Sequence, residues 1–330
     1  MKKILQYLFE HKTLTRQQAR EVLTNIAGGA YNESEIAAFI TVFLMRSITI
    51  DELQGFRDAL LELCVRVDLN GQDAIDIVGT GGDGKNTFNI STLSCFIVAG
   101  TGQKVAKHGN YGASTISGAS NVMESLGYKF KNDAGRLKQE IEQTGICFLH
   151  APMFHPALKT VGPIRKNLGV RTFFNMLGPM VNPASPKFQL VGVYNLEMAR
   201  IYNYLLQQTE GYYTIIHGLD GYDEISLTGD TKVITQKGEK IMTPEELGKR
   251  MVNASDIYGG NSVEEAAKIF TKILKVEGSW AQNAVVLANA AMALYSTGNY
   301  GKYDDAYAAA VDSLESGKAY SALNTLISLQ

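Results

Sequence analysis

The 330-residue chain is 45% hydrophobic and 19% charged, enough apolar content for a large core arranged as two domains or as one domain with an appendage. Thirty-one Lys and Arg stand against 33 Asp and Glu, and the net charge of −2 excludes a long-range field for nucleic acid or an anionic membrane. Cys64, Cys95 and Cys147 are odd in number and far apart, which fits reduced thiols in a cytoplasmic setting and excludes a structural zinc site.

The N-terminal M-K-K-I-L-Q-Y-L-F-E-H has too short an apolar run for a signal sequence and reads as a first helix. Thr15-x-x-Gln18 and Thr49-x-x-Glu52 are capping boxes, Gly28-Gly29 stops the helix that Thr15 starts, and Ser34 is the expected cap of the next. Up to about Val67 every signal is helical, so residues 1–70 form a small all-α domain, with Asn70-Gly71 the expected hinge to the rest, 71–330. From Ile75 onward short β-branched runs alternate with helices. Ile75–Val78, Lys104–Lys107, Ile146–Leu149, Gln189–Val193 and Tyr213–Ile216 are the expected strands, with helices over Asp133–Gln143 and Leu196–Gln208. That alternation defines an α/β fold with a mostly parallel sheet covered by helices. Capping boxes at Thr243-Pro244-Glu245-Glu246 and Ser262-x-x-Glu265 predict two further helices. The most apolar segment, Trp280–Tyr295, carries Gln282, Asn283 and Asn289 and has the length of a buried core helix, short of the roughly 20 residues a membrane span requires.

Two loops carry the chemistry. Gly79-Thr-Gly-Gly-Asp-Gly-Lys85 follows the first strand and runs into Asn-Thr-Phe-Asn-Ile-Ser-Thr92; Lys107-His-Gly-Asn-Tyr-Gly-Ala-Ser-Thr115 follows the second. No Asp or Glu occurs from Gly84 through Met123. Backbone N–H groups, hydroxyls and Lys85, Lys104 and Lys107, without carboxylates, suit a strongly anionic ligand such as a polyphosphate. As G-x-G-x-x-G the first loop suggests a dinucleotide fold, but the acidic ribose partner about twenty positions on is absent. As a P-loop it puts Asn86 where a magnesium-binding hydroxyl must stand. A ligand-free turn would not need four glycines in six residues, each with its entropic cost. In an open α/β sheet both loops are expected to face one cleft at the strands' carboxyl ends.

Four ordered motifs, G-T-G-G-D-G-K-N-T-F-N-I-S-T at 79–92, K-H-G-N at 107–110, H-P-A-L-K-T-V-G-P-I-R-K-N-L-G-V-R-T-F-F-N-M-L-G-P-M-V-N-P at 155–183 and D-E-I-S-L-T-G at 223–229, resemble the anthranilate phosphoribosyltransferase family over essentially the whole chain. The resemblance implies transfer of a phosphoribosyl group from 5-phosphoribosyl 1-pyrophosphate to the amine of anthranilate, in tryptophan biosynthesis. It implies a helical domain hinged to a larger α/β domain, with helices from about 165–185 joining the first, and a homodimer formed through the helical domains. The chain opens on the helical domain, so no fused amidotransferase module is expected.

The resemblance places phosphoribosyl pyrophosphate against Gly79, Gly82, Asp83, Thr87, Asn89, Ile90, Ser91 and Thr92 in the first loop. In the second it names Lys107, His108, Gly109, Asn110, Tyr111, Gly112, Ala113, Ser114, Thr115 and Ala119. Magnesium is implied at Ser91, Asp223 and Glu224, and the adjacent acidic pair suits an ion that takes one or two carboxylates with substrate phosphates. Anthranilate is expected at Gly79, Asn110 and Arg165, between the domains, Arg165 pairing with its carboxylate. No covalent catalyst or strong acid or base is expected; Lys107, Asn110 and Arg165 orient substrates and stabilise charge.

The family commonly has a basic residue at Tyr111, Lys at Ile116 and Ser at Ala119, so a weaker hold on the pyrophosphate is expected unless Lys85 or Lys104 compensates. Two rival readings are a pyrimidine nucleoside phosphorylase and a non-catalytic paralogue that keeps the fold as a binding protein. The 162–172 motif and the intact Ser91, Asp223 and Glu224 weigh against them.

Overall fold

The computed structural model describes residues 1–112 and 116–330, and the chain divides into two compact units. One comprises Met1–Val67 and Ala151–Ser185, the other Asp68–His150 and Pro186–Gln330. The second stretch of the helical unit thus begins at Ala151, ahead of the 165–185 segment expected from the sequence.

The helical unit holds α1 (Lys2–Phe9), α2 (Arg16–Ala27), α3 (Glu33–Met45) and α4 (Ile50–Leu63). Both expected capping boxes are formed at α2 and α4. The cap of α3 is Asn32 rather than Ser34: its side chain accepts the Glu35 N–H at 3.0 Å and Glu35 answers at the Asn32 N–H, a reciprocal pair that Ser34 has no partner to build. In the sheet unit follow β1 (Ile75–Gly79), α5 (Ile90–Gly100), β2 (Val105–Gly109), α6 (Ala119–Ser125), α7 (Ala134–Thr144) and β3 (Ile146–His150). The chain then completes the helical unit with α8 (Ala151–Phe154), α9 (Pro156–Leu168) and α10 (Phe174–Leu177). It closes the sheet unit with β4 (Phe188–Gly192), α11 (Leu196–Leu206), β5 (Tyr212–Gly218), β6 (Thr231–Thr235), β7 (Gly238–Met242), α12 (Val263–Leu274), α13 (Trp280–Ser296), α14 (Tyr303–Glu315) and α15 (Lys318–Ser328).

Phe173, from the second stretch of the helical unit, explains why that stretch belongs there. Its ring stacks on Phe56 at 4.5 Å and meets Phe43 at 5.0 Å and Phe39 at 6.3 Å, an aromatic core shared by α3, α4 and the segment before α10.

The sheet order is β3-β2-β1-β4-β5-β6-β7, parallel from β3 through β5 and antiparallel thereafter. After β3 the chain returns to the other side of β1, so β1 and β4 flank the topological switch point, where α/β sheets bind ligands beyond the strands' carboxyl ends. All five expected strands are present. The β6–β7 hairpin was not foreseen, because Gln236-Lys237 lacks the Asn-Gly or Asp-Gly signature of a tight hairpin. No helix follows Thr243. The box bonds form, Glu246 accepting the Thr243 N–H at 2.8 Å, but Lys249 N–H reaches back to Pro244 O at 2.8 Å around left-handed Gly248, ending the segment after a single turn. On the sheet, α13 is buried over most of its length against α5 and α14. Among the described residues no helix is long and apolar enough to cross a membrane.

Candidate active site

Gly79 and Gly192 pair at the carboxyl ends of β1 and β4. Beyond them Gly81, Gly82 and Gly84 adopt φ values of +64°, +76° and +74°, which turn the first loop back over the strand ends. The Gly81 N–H donates to Asp223 Oδ2 at 2.7 Å, and Asp83 Oδ1 accepts the Lys85 N–H at 3.0 Å. Asn86 Nδ2 donates to Gly260 O at 2.8 Å, tying the loop's far side to the segment before α12. Asn89 stands at the N-terminal boundary of α5 without a side-chain cap bond, and its amide donates instead to Ser117 O at 2.9 Å, so one side chain joins the two loops. Ile90 and Thr92 bury their side chains, so what either can offer a ligand is backbone.

The acidic pair sits in the loop after β5. Glu224 Oε1 accepts the Ser91 N–H at 3.2 Å at the start of α5, and Glu224 Oε2 accepts from Thr87 Oγ1 at 3.4 Å. Ser91, Asp223 and Glu224, separated by more than 130 positions in sequence, are thus brought to one place. The loop's anchor is a residue that sequence reasoning passed over. Asn289 of α13 accepts the Ile225 N–H at 3.0 Å and donates to Ile225 O and Val285 O, each at 2.8 Å. An amide inside an otherwise apolar helix was the available signal, since a buried amide must find partners.

Burial, with Asp83 close by, pushes the Asp223 carboxyl up to about 7. Burial and then Asp223 itself raise Glu224 well above the ordinary carboxylate range. Among the described residues neither has a Lys or Arg within ion-pair distance. Two withdrawn, adjacent carboxylates without a cationic partner fit a hard divalent ion that completes its shell with phosphates and water. No larger His, Cys, Asp and Glu cluster suited to a metal occurs among the described residues.

Lys107 is not at the surface. It is buried on β2, its Nζ donates to Ile77 O at 2.7 Å, and its charge favours ionised Glu224. His108 is likewise buried, its N–H donating to Asp76 Oδ1 at 3.2 Å. Asn110 is exposed; its side chain accepts the Tyr111 N–H at 2.8 Å and its carbonyl the Ser120 N–H at 3.2 Å. Ala113, Ser114 and Thr115 lie outside the described residues. Among the described residues, Gly112 and Gly118 both donate their N–H to a single oxygen, Asn121 Oδ1, at 3.0 Å each. Tyr111 sends its hydroxyl to Glu124 at 2.8 Å and Ile116 is exposed. Lys104 donates to Ile141 O at 3.0 Å and so is occupied elsewhere. Lys85 Nζ lies 4.5 Å from the ring centroid of Tyr222, the residue before the acidic pair in sequence.

In the helical unit, Arg165 near the end of α9 donates through Nη2 to Asn175 Oδ1 at 3.0 Å. Its guanidinium lies 5.5 Å from the Phe174 ring centroid, and its Nε is buried with no partner among the described residues. Burial lowers its affinity for the proton below the usual value.

A glycine loop met by a buried acidic pair at the switch point of a largely parallel sheet is the arrangement of a glycosyltransferase, the class to which the matching family models assign this chain. The Glycosyl transferase family a/b domain matches residues 71–320 and the helical bundle domain of the same family matches residues 2–64. Anthranilate phosphoribosyltransferases of Christiangramia forsetii and Flavobacterium johnsoniae are 58% and 59% identical to this chain over 326 residues, covering 99% of it and 98% of each relative. The solved anthranilate phosphoribosyltransferase of Thermus thermophilus aligns with a TM-score of 0.90 at 32% identity over 98% of both chains. That of Saccharomyces cerevisiae, in complex with PRPP and Mg, aligns with a TM-score of 0.90 at 26% identity over 98% of this chain and 96% of the other. The chain belongs to the anthranilate phosphoribosyltransferase family, which sets aside the nucleoside phosphorylase reading.

Proposed function

We propose that the chain transfers the phosphoribosyl group of 5-phosphoribosyl 1-pyrophosphate to the amine of anthranilate, releasing diphosphate, in tryptophan biosynthesis. The observation that carries this reading is the junction of Asp223 with the Gly81 N–H and of Glu224 with the Ser91 N–H, which sets an acidic pair at the mouth of a glycine loop. The loops bind the pyrophosphate through Gly79, Gly82, Asp83, Thr87, the backbone of Asn89–Thr92 and the segment from Lys107 to Ala119. Buried Lys107 acts through its field rather than by contact. Mg2+ held by Asp223, Glu224 and Ser91 would neutralise the departing diphosphate. Arg165 takes the carboxylate of anthranilate, and Gly79 and Asn110 also serve that substrate.

An aromatic amine is neutral at physiological pH and needs no base to attack the anomeric carbon. The residues hold, align and exclude water, and rate comes from orientation and from stabilising developing charge. In a cytoplasmic setting the chain would work as a homodimer. Its helical unit leaves Phe9 and Met45 exposed at 61% and 84%, on an apolar face between α1 and α3 suited to a second copy.

The test is the fluorescence of anthranilate on mixing with phosphoribosyl pyrophosphate, with and without magnesium. Magnesium-dependent loss of signal is expected; an unchanged signal at saturating substrates would leave the binding-paralogue reading in its place.

A further inference from the structure

Arg165 has a neutral partner where a cation ordinarily finds an acidic one. Among the described residues no carboxylate lies within ion-pair distance of it. Its Nη2 donates to Asn175 Oδ1 at 3.0 Å, and that oxygen is itself fixed, accepting the Thr172 N–H at 3.1 Å. Behind the guanidinium, Phe174 stacks on Phe173 at 4.3 Å, and Phe173 is built into the core of the helical unit. Asn175 and Phe174 therefore set the plane of the fork from two sides, and both are anchored.

A carboxylate at position 175 could make the same two bonds and bind the guanidinium more strongly. The amide orients the cation without cancelling its charge. A half-withdrawn cation with a neutral partner is unfavourable by itself, and an incoming anion relieves that condition.

We propose that Asn175 is a positioning residue for the acceptor substrate: a neutral cradle that aims Arg165 at an arenecarboxylate and, because it is neutral, leaves the guanidinium's charge to that ligand. The proposal rests on the reading that Arg165 holds the carboxylate of anthranilate. It makes selectivity for an acidic arene depend on the absence of charge at a residue that does not touch the substrate.

The decisive variant is N175D, nearly isosteric and able to keep the Thr172 and Arg165 bonds. We expect its thermal midpoint at or above the parent's, its KM for anthranilate raised by about tenfold or more, and its KM for phosphoribosyl pyrophosphate within about twofold. A purely structural role would not raise one KM selectively in a variant that is no less stable. A folded N175D with unchanged KM for anthranilate overturns the proposal. If N175D does not fold, N175A decides: a several-fold rise confined to the anthranilate KM supports the cradle, and no rise overturns it. R165Q in the same assay keeps the two readings apart. If R165Q leaves the anthranilate KM unchanged, the assignment of Arg165 fails; if R165Q raises it and N175D does not, only the role of Asn175 falls.

Discussion

Gly192 makes room for Asp223. A β carbon on Gly192 would overlap the Asp223 carbonyl oxygen, and one on its strand partner Gly79 would overlap the Asp223 carboxylate. Two glycines on adjacent strands thus form a floor on which the acidic loop lies, one under its backbone and one under its side chain. Replacing Gly192 with Ala should cost about 1–3 kcal/mol of stability by overpacking and lower magnesium-dependent turnover by about tenfold or more. Urea denaturation and initial rates check both; unaltered rates would mean the loop can shift without consequence.

The Asn289 bonds to Ile225 predict a second effect at a distance from the substrates. N289A leaves the Ile225 N–H and C=O without their partner, a loss of about 1–3 kcal/mol, and frees the segment carrying Asp223 and Glu224. The magnesium concentration for half-maximal rate should rise, whereas D223N combined with E224Q should abolish the metal response. A magnesium titration of the three proteins distinguishes a loosened site from a missing one.

His155, at the head of α9, is buried, and burial holds its imidazole at a pKa of about 4 against the opposing pull of the Val181 and Leu60 carbonyls. With the folded value below the ordinary 6.5, the unfolded chain binds more protons between the two. Stability from this residue is therefore complete above pH 6.5 and is lost as pH falls toward about 4, by about 3 kcal/mol in all. Denaturation midpoints across that window should fall less steeply for H155N than for the parent; parallel slopes would exclude His155 as the source.

Asn121 closes the second loop with one oxygen on two N–H groups. N121A should raise the KM for phosphoribosyl pyrophosphate by about tenfold and leave that for anthranilate within about twofold. Steady-state kinetics with each substrate varied in turn would show it, and equal changes in both constants would point to a general loss of structure instead.

Five of the seven strands were legible because they are short apolar runs bounded by Gly, Asn or Pro, and the glycine loops because no Asp or Glu occurs from Gly84 through Met123. Less visible were features whose partner is remote. Thr243 makes its cap bonds, but Gly248 decides the outcome five residues later. Lys107 has the local sequence of an exposed ligand contact, and only the pairing of β2 with β1 shows it buried against Ile77. Asn121, Asn175 and Asn289 share one reason for escaping notice: an amide carries no charge to mark it, and its role depends wholly on which backbone or side-chain groups the fold brings to it.

The division of the chain has a consequence for how the protein is made. The aromatic nucleus of the helical unit draws Phe39, Phe43 and Phe56 from the first 63 residues and Phe173 from the stretch that begins at Ala151. A nascent chain must therefore emerge past Phe173, with four of the sheet's seven strands still to come, before its first-synthesised helices can complete their core. During that interval the N-terminal helices carry an unfilled apolar socket, and a fragment cut after α4 would keep that socket permanently.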